Sequence, residues 1–238
     1  MGNSTSLGEN RLLNCTDAAD LARLHRDFKK VDMVVGAVLH PSGMPIEQVY
    51  FPLGGMVSML AIMKTGEQIE TSIVGREGVV GASVGIDGGR STGQATVQVE
   101  GVAWQIPVAK FLDVYRTSES FRSLMNLSLG VIHFQAQQSA ACHAIHSVES
   151  RLCRWLLHSQ DVVEGEFVDL TQEFLSHMLG VQRSSVSQCA HTLQKTGTIQ
   201  YSRGRIKILD RPGLEECACE CYAAIREHID SVLPSRGK

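Results

Sequence analysis

The chain has 238 residues, 43% of them hydrophobic and 20% charged, with a formal net charge of −3. That balance describes a folded chain of one large or two modest domains, and it excludes a disordered or uniformly cationic polymer. No apolar run is long enough to span a bilayer, so no membrane partner is expected.

At the N-terminus, Met1 to Ser6 fits a Gly2 myristoylation pattern, but no polybasic stretch follows and no apolar segment marks an export signal. A cytoplasmic chain is expected, with its seven cysteines (15, 142, 153, 189, 217, 219 and 221) as free thiols. An amphipathic helix is expected near Asp17 to Lys29. From Val34 to Ile106 the chain reads as short β-prone runs: Val34–Leu39, Gln48–Pro52, Met56–Ile62, Gln68–Val74, Gln94–Val99 and Val102–Ile106. Glycine-containing turns separate them, which predicts a small antiparallel roll or barrel. A catalytic, cupin-like roll would need convergent metal ligands. His40, Glu47, Glu67, Glu70 and Glu77 show no paired histidine spacing, so no enzyme is expected.

A long helix follows. In a heptad counted from Leu124, Leu124, Val131, Gln138 and Ile145 take the a positions, and Leu127, Phe134, Ala141 and Val148 the d positions. Seven of those eight are apolar, so the seam is read as a homodimer contact, with packing on the chain's own barrel as the alternative. The domain boundaries are drawn at 1–117 for an N-terminal helix and roll, 118–146 for the long helix, and 147–238 for the C-terminal domain.

Within that last domain Thr171 caps a helix carrying Phe174, Leu175, Met178 and Leu179. Gly180 turns the chain, and a second helix, Arg183 to Lys195, buries Val186, Ala190 and Leu193. Its other face shows Arg183, Ser184, Ser187, Gln188 and His191 without an acid. Two short runs, Ile199–Tyr201 and Ile206–Leu209, form a hairpin with Ser202 to Arg205 at its tip. Between Leu170 and Arg211 six cations (Arg183, Lys195, Arg203, Arg205, Lys207, Arg211) stand against Glu173 and Asp210. A positive segment on a mildly acidic chain suits contact with the phosphates of double-stranded DNA. The whole reads as a winged helix-turn-helix, the fold class being α+β. A terminal helix from Leu214 to Ile229 carries Cys217, Cys219 and Cys221. On a helix Cys219 points away from the other two, so small-residue packing is expected there and no metal site, a metal or redox role being the alternative.

This order of helix, jelly-roll-like β-roll, long helix and winged helix-turn-helix resembles the Crp/Fnr family of transcription regulators over nearly the whole chain. The resemblance is strongest from Arg151 to Asp210 and visible in the roll at YFPLGGMVSMLAI and IVGREGVVGASVG. It implies a homodimer that binds an inverted repeat and is controlled allosterically by a small effector in the roll. Arg183 matches the family's first recognition arginine, Ser184 replaces the usual glutamate, and Gln188 stands at a second arginine. Arg183, Ser184, Ser187 and Gln188 are thus expected to read bases, Arg183 suiting guanine and Gln188 adenine. Thr171, Gln182, Ser185, Arg203 and Arg205 match backbone-contact positions.

The effector pocket implied by the resemblance comprises Gly81, Ala82, Arg90, Ser91, Thr92, Ala136 and Gln137. Ala82 stands where cyclic-AMP-binding members carry glutamate, and Ser91-Thr92 where they carry Arg-Ser, so cyclic AMP is not expected and the effector is unidentified. Cys15 alone near the N-terminus falls short of the ligands an iron–sulfur cluster needs. His25, His40 and His133 leave haem as a further alternative. The acidic stretch His158–Glu166, with Asp161, Glu164 and Glu166, corresponds in position to a family surface that meets RNA polymerase. A non-sensing repressor, its roll only a dimerisation scaffold, is the alternative reading.

Overall fold

The computed structural model describes residues 10–86, 88–162, 167–169, 171–202 and 204–233. The myristoylation motif, Arg203, Glu164 and Glu166 lie outside them. A short helix α1 (Arg11–Asn14) is capped by Asn10, whose Oδ1 accepts from the Leu12 and Leu13 N–H groups. The Asn10 Nδ2 donates to the carbonyls of Pro52 and Gly78, both at 2.9 Å, which ties the start of the described chain to the roll. Helix α2 (Ala18–His25) follows and ends earlier than the expected Lys29, because Lys29 already belongs to a strand.

The roll comprises β1 (Lys29–Met33), β2 (Val38–His40), β3 (Gln48–Pro52), β4 (Met56–Ile62), β5 (Gln68–Val74), β6 (Gln94–Val99) and β7 (Gly101–Pro107). Two antiparallel sheets, ordered β1-β7-β3 and β2-β6-β4-β5, enclose Met33, Val57, Val74, Val80, Ala95, Val97 and Ala103. Of the expected run Val34–Leu39 only Val38 and Leu39 lie in a strand: β1 ends at Met33, and a turn in which Gly36 has φ +83° leads into β2. The charged strand β1 pairs with β7 alone, and Lys and Asp on such an edge blunt further pairing while hiding the strand from a hydrophobicity pattern.

Helix α3 (Val108–Thr117) leads into α4 (Glu119–Ile145), capped by Ser118, whose Oγ accepts from the Phe121 N–H. The buried line of α4 is Phe121, Leu124, Met125, Ser128, Val131, Gln135, Ser139 and Cys142, the last of which packs with Cys219 and Cys221 of the C-terminal half. Gln135 behaves as an extra strand residue: its Oε1 accepts from the Ile73 N–H at 3.0 Å and its Nε2 donates to the Ile73 carbonyl at 3.1 Å.

The expected heptad seam therefore needs correction. Leu124 and Val131 are buried in the core of their own chain, while Leu127, Ala141 and Ile145 are exposed. Phe134 stacks on His228 with ring centroids 4.0 Å apart, and Gln138 donates to the Cys221 sulfur. One face cannot serve both a partner and the roll, and the roll takes the first part of this one.

After a break at His146–Ser147 come α5 (Val148–Val162), β8 (Phe167–Asp169), α6 (Gln172–Leu179), α7 (Arg183–Lys195), β9 (Ile199–Ser202), β10 (Arg205–Ile208), α8 (Arg211–Cys217) and α9 (Cys221–Val232). The single terminal helix expected from Leu214 to Ile229 is thus two helices with a corner at Ala218 to Glu220. Extended backbone at Ala218 (ψ 151°) ends α8 and swings Cys219 and Cys221 inward, both buried, while Cys217 stays exposed. The three thiols do not converge, as expected, but the one that stands apart is Cys217 rather than Cys219, because the chain leaves the helix between Cys217 and Cys221.

The two halves share one core. Leu152, Trp155, Leu156, Leu175, Met178 and Leu193 pack in the same cluster as Met56, Leu60 and Val99 of the roll. At its centre the Trp155 Nε1 donates to both oxygens of Glu70, at 3.1 and 3.2 Å, and the Ser58 hydroxyl also donates to Glu70. Burial raises the Glu70 carboxyl above its ordinary 4.5, the hydrogen bonds from Ser58 and Trp155 and the charge of Arg154 opposing the shift. An acid whose pKa is higher in the fold than in the unfolded chain stabilises the fold fully below about 4.5. It loses that contribution as pH rises through its folded value. Glu70→Gln, which keeps an acceptor for Trp155, is expected to remove this component. Thermal melts at stepped pH from 4.5 upward should show the variant gaining on the parent as pH rises; a constant difference would refute the assignment.

Candidate nucleic-acid interface

Local sequence builds the α6–turn–α7 unit. Thr171 stands at the N-cap of α6 with its Oγ1 accepting from the Phe174 N–H at 3.1 Å. Gly180 closes the helix in the left-handed region (φ +60°), its N–H donating to the Ser176 and His177 carbonyls. A side chain there would be strained, and its Cβ would sit 3.4 Å from Ile69 of the roll. Gln182 then starts α7, whose Val186, Ala190 and Leu193 are buried.

The opposite face of α7 presents Arg183, Ser184, Gln188, His191, Thr192 and Lys195 to solvent, with Ser185 and Ser187 half-buried. No acid occurs in α7, and its Lys195 lies in the last turn. Ser187 is engaged inside the unit: its Oγ lies 2.7 Å from Gln172 Oε1 and 3.0 Å from the Arg183 carbonyl, which leaves its lone pairs rather than its proton for an outside partner. Arg183, Ser184 and Gln188 remain as the outward set at the N-terminal half of the helix. Thr192 extends this face by another turn, and sequence periodicity alone gave no reason to select it.

Beside this face, β9 and β10 form the wing, with Gly204 at the turn in a left-handed conformation (φ +80°). The hairpin is a three-stranded sheet rather than a two-stranded one, because β8 pairs with the far side of β10. Three residues are too few for alternation to announce such a strand. Gln194 fastens the wing to α7 by accepting from the Tyr201 N–H at 3.0 Å. Lys207 lies over the Phe167 ring, 5.6 Å from its centroid. Arg211, counted among the cations of this segment, instead turns inward. It pairs with Asp161 at 2.8 Å and Glu215 at 2.9 Å, and donates to Gln160 and the Tyr222 hydroxyl. Asp161 is taken up by Arg211 and Tyr222, so the acidic stretch loses one of its free carboxylates.

In the roll, Gly81 (φ +96°), Ala82, Arg90 and Ser91 gather along segment 43–48. Ser91 N–H donates to Met44, Ile46 N–H to Gly89, and the Arg90 guanidinium to the Gly43 carbonyl. A Cβ on Gly81 would lie 2.7 Å from His40 Cε1, so that imidazole closes against the glycine. Burial lowers the His40 pKa, opposed by the bond between its Nε2 and the Gln48 carbonyl. Ala82 and Ser91 are buried and Thr92 exposed; the Ser91 hydroxyl donates to Gly93 O. On α4, Ala136 is half-buried and Gln137 exposed, while the neighbouring Gln135 is the side chain that binds strand β5. Position 82 carries no carboxylate, and the exposed Arg90 is held to the edge of this segment by its bond to the Gly43 carbonyl.

A family model described as the Crp-like helix-turn-helix domain matches residues 150–217, and one described as the cyclic nucleotide-binding domain matches residues 32–118. The chain belongs to the Crp/Fnr family of transcription regulators. Among solved structures it is similar to a protein described as a Crp/Fnr-family regulator from Eubacterium rectale, at 17% identity and a TM-score of 0.70, covering 87% of this chain and 96% of that one. It is also similar to the c-di-GMP-responsive global regulator CLP of Xanthomonas campestris (15%, TM-score 0.65, 81% and 99%). A third is the Crp/Fnr-family regulator TTHA1359 of Thermus thermophilus (21%, 0.66, 80% and 98%). No curated protein sequence matches. Among the described residues, no helix is long and apolar enough to cross a membrane.

Within this family unit the cap of α6 is the local device that sets where the first helix begins. Thr171→Ala should cost about 1 kcal/mol by leaving the Phe174 N–H without its acceptor, read as a lower midpoint in denaturant with an unchanged slope. A midpoint equal to the parent's would show that the cap carries no weight.

Proposed function

We propose that this Crp/Fnr regulator is a homodimer that reads an inverted repeat of double-stranded DNA through α7, under control of a small effector other than cyclic AMP held in the roll. The observation that carries the reading is the exposed, acid-free face of α7 lying beside the wing. Arg183 offers a bidentate donor fork for guanine O6 and N7, and Gln188 pairs well with adenine. Ser184 cannot accept from cytosine N4 as a carboxylate does, so the half-site departs from that of relatives with glutamate there. Thr171, Gln182, Ser185 and Arg205 supply backbone contacts that position without reading sequence. Arg203 belongs to the same wing tip by sequence.

Dimerisation is supported by a strip of α4 displaced from the seam expected from sequence. Leu127, Gly130, Phe134, Gln137, Ala141 and Ala144 recur at alternating spacings of three and four. All are exposed except Phe134, which is half-buried. Small residues permit close helix approach, and two copies of α4 would bury the exposed Leu127. Two recognition helices then enter successive major grooves about 34 Å apart. A cytoplasmic site of action and contact with RNA polymerase belong to the same reading, as they follow from regulation of transcription. The shared core of roll and C-terminal half favours signalling by a rigid shift over a loose tether.

Selection of bound duplexes from a random pool at fixed salt should return a two-fold symmetric site. On it, Arg183→Ala should weaken binding by about 1–3 kcal/mol and relax preference at one base pair, whereas Arg205→Ala should weaken all duplexes alike and reduce the salt slope by about 1. Equal affinity of parent and Arg183→Ala for every duplex would overturn the reading. Ala141→Glu should convert the dimer to monomer in sedimentation at micromolar concentration. A dimer that persists would move the interface off this strip. Thermal shift with candidate small molecules separates a sensing roll from a scaffold, since a ligand of the folded state raises the melting temperature.

A further inference from the structure

Where α4 ends and the α8–α9 corner folds back, four potential ligands from distant parts of the chain meet. Cys142 and His146 come from the last turn of α4 and the residue after it, and Cys219 and Cys221 from the corner. Their sulfur and nitrogen atoms all lie within 4.8 Å of one another. The three cysteines are at most 6% exposed. Cys142 Sγ is 3.6 Å from Cys219 Sγ, and Cys221 Sγ is 3.5 Å from His146 Nδ1.

We propose that these residues form a Cys3His site for one tetrahedral divalent ion, zinc, which crosslinks the end of α4 to the C-terminal helical corner. The spacing argues for a single ion. With Zn–S near 2.3 Å and Zn–N near 2.05 Å, a tetrahedron has sulfur–sulfur edges of about 3.8 Å and sulfur–nitrogen edges of about 3.6 Å, close to the two separations above. A multi-iron cluster would need its thiolates spread more widely than this set.

The surroundings complete the site. His146 Nε2 lies 3.1 Å from Glu220 Oε2, so the carboxylate can hold the ring with Nδ1 turned to the ion. Gln138 Nε2 donates to Cys221 Sγ at 3.2 Å, as an amide does to a thiolate. Three thiolates and one imidazole around a dication carry a net negative charge. The buried Arg154, whose Nε has no hydrogen-bond partner, is near enough to attract both Cys142 and Cys219 electrostatically. Binding releases the thiol protons to solvent as three sulfur–metal bonds form; no electron is transferred. Four protein ligands leave no open position, so the ion is structural rather than catalytic.

The crosslink joins residues 77 positions apart in sequence, Cys142 and Cys219, across the break at His146–Ser147. The Cys219 N–H also lies 3.4 Å from the Ser150 carbonyl at the start of α5, so the ion braces the joint between the long helix and the DNA-reading half. Full-length protein purified under reducing conditions should carry about one zinc per chain by elemental analysis, and Co(II) added after chelation should give the visible bands of a tetrahedral thiolate site. Removing the ion should lower the melting temperature, and restoring Zn(II) should recover it. Cys219→Ser and Cys142→Ser should abolish stoichiometric binding, whereas Cys217→Ser, altering an exposed thiol outside the cluster, should leave it intact. The proposal is overturned if the reduced parent takes up neither ion stoichiometrically. It is equally overturned by iron with sulfide in place of zinc, by a Cys142–Cys219 disulfide in the reduced preparation, or by loss of binding in Cys217→Ser alone. None of these readouts depends on DNA binding.

Discussion

Glu70 projects from the middle of β5 into a buried core, where the Trp155 indole and the Ser58 hydroxyl donate to it, and this contact seats α5 on the roll. A carboxyl group taken out of water is costly unless its oxygens are satisfied, so the contact admits few alternatives. Once Trp155 is held there, Leu152 and Leu156 turn inward on the same face of α5, and α6 and α7 pack over them. The direction in which Arg183 and Gln188 point is thereby linked to the roll through one continuous set of packed side chains.

That linkage gives a physical basis for regulation. In the proposed regulation, a displacement within the roll would reach α7 through β5, Glu70 and Trp155, which belong to one packed core. Gln135 adds a second attachment of the same strand to α4, so β5 holds both the long helix and the C-terminal half. A ligand favouring one arrangement of β5 would alter both at once, by as much as its affinities for the two arrangements differ.

Helix α4 illustrates how one element divides its surface. One face is committed to the roll through Phe121, Met125, Ser128 and Gln135. A second flank meets α9 at Phe134–His228 and Gln138–Cys221, and a third strip, from Leu127 to Ala144, faces solvent. A heptad pattern records that a helix has apolar neighbours, but it does not say whether they belong to the same chain. Leu124 and Val131 fit the pattern as well as Leu127 and Ala141, and only the packed structure separates the two groups.

The sequence by itself determined what depends on short range. The strands Gln48–Pro52, Met56–Ile62, Gln68–Val74 and Gln94–Val99, the Thr171 cap, the Gly180 turn and the bounds of α7 follow from side-chain alternation, capping chemistry and conformational freedom within a few residues. Strand β1 escaped because its edge position calls for charge rather than apolar residues, and β8 because three residues carry no period. Tertiary structure alone decided which outward groups are consumed internally, as Arg211 is by Asp161 and Ser187 within its own motif. It also broke the terminal helix at Ala218, turning Cys219 and Cys221 toward Cys142 and His146. Such convergence rests on contacts across some seventy-seven residues of intervening chain, a distance over which local periodicity carries no information.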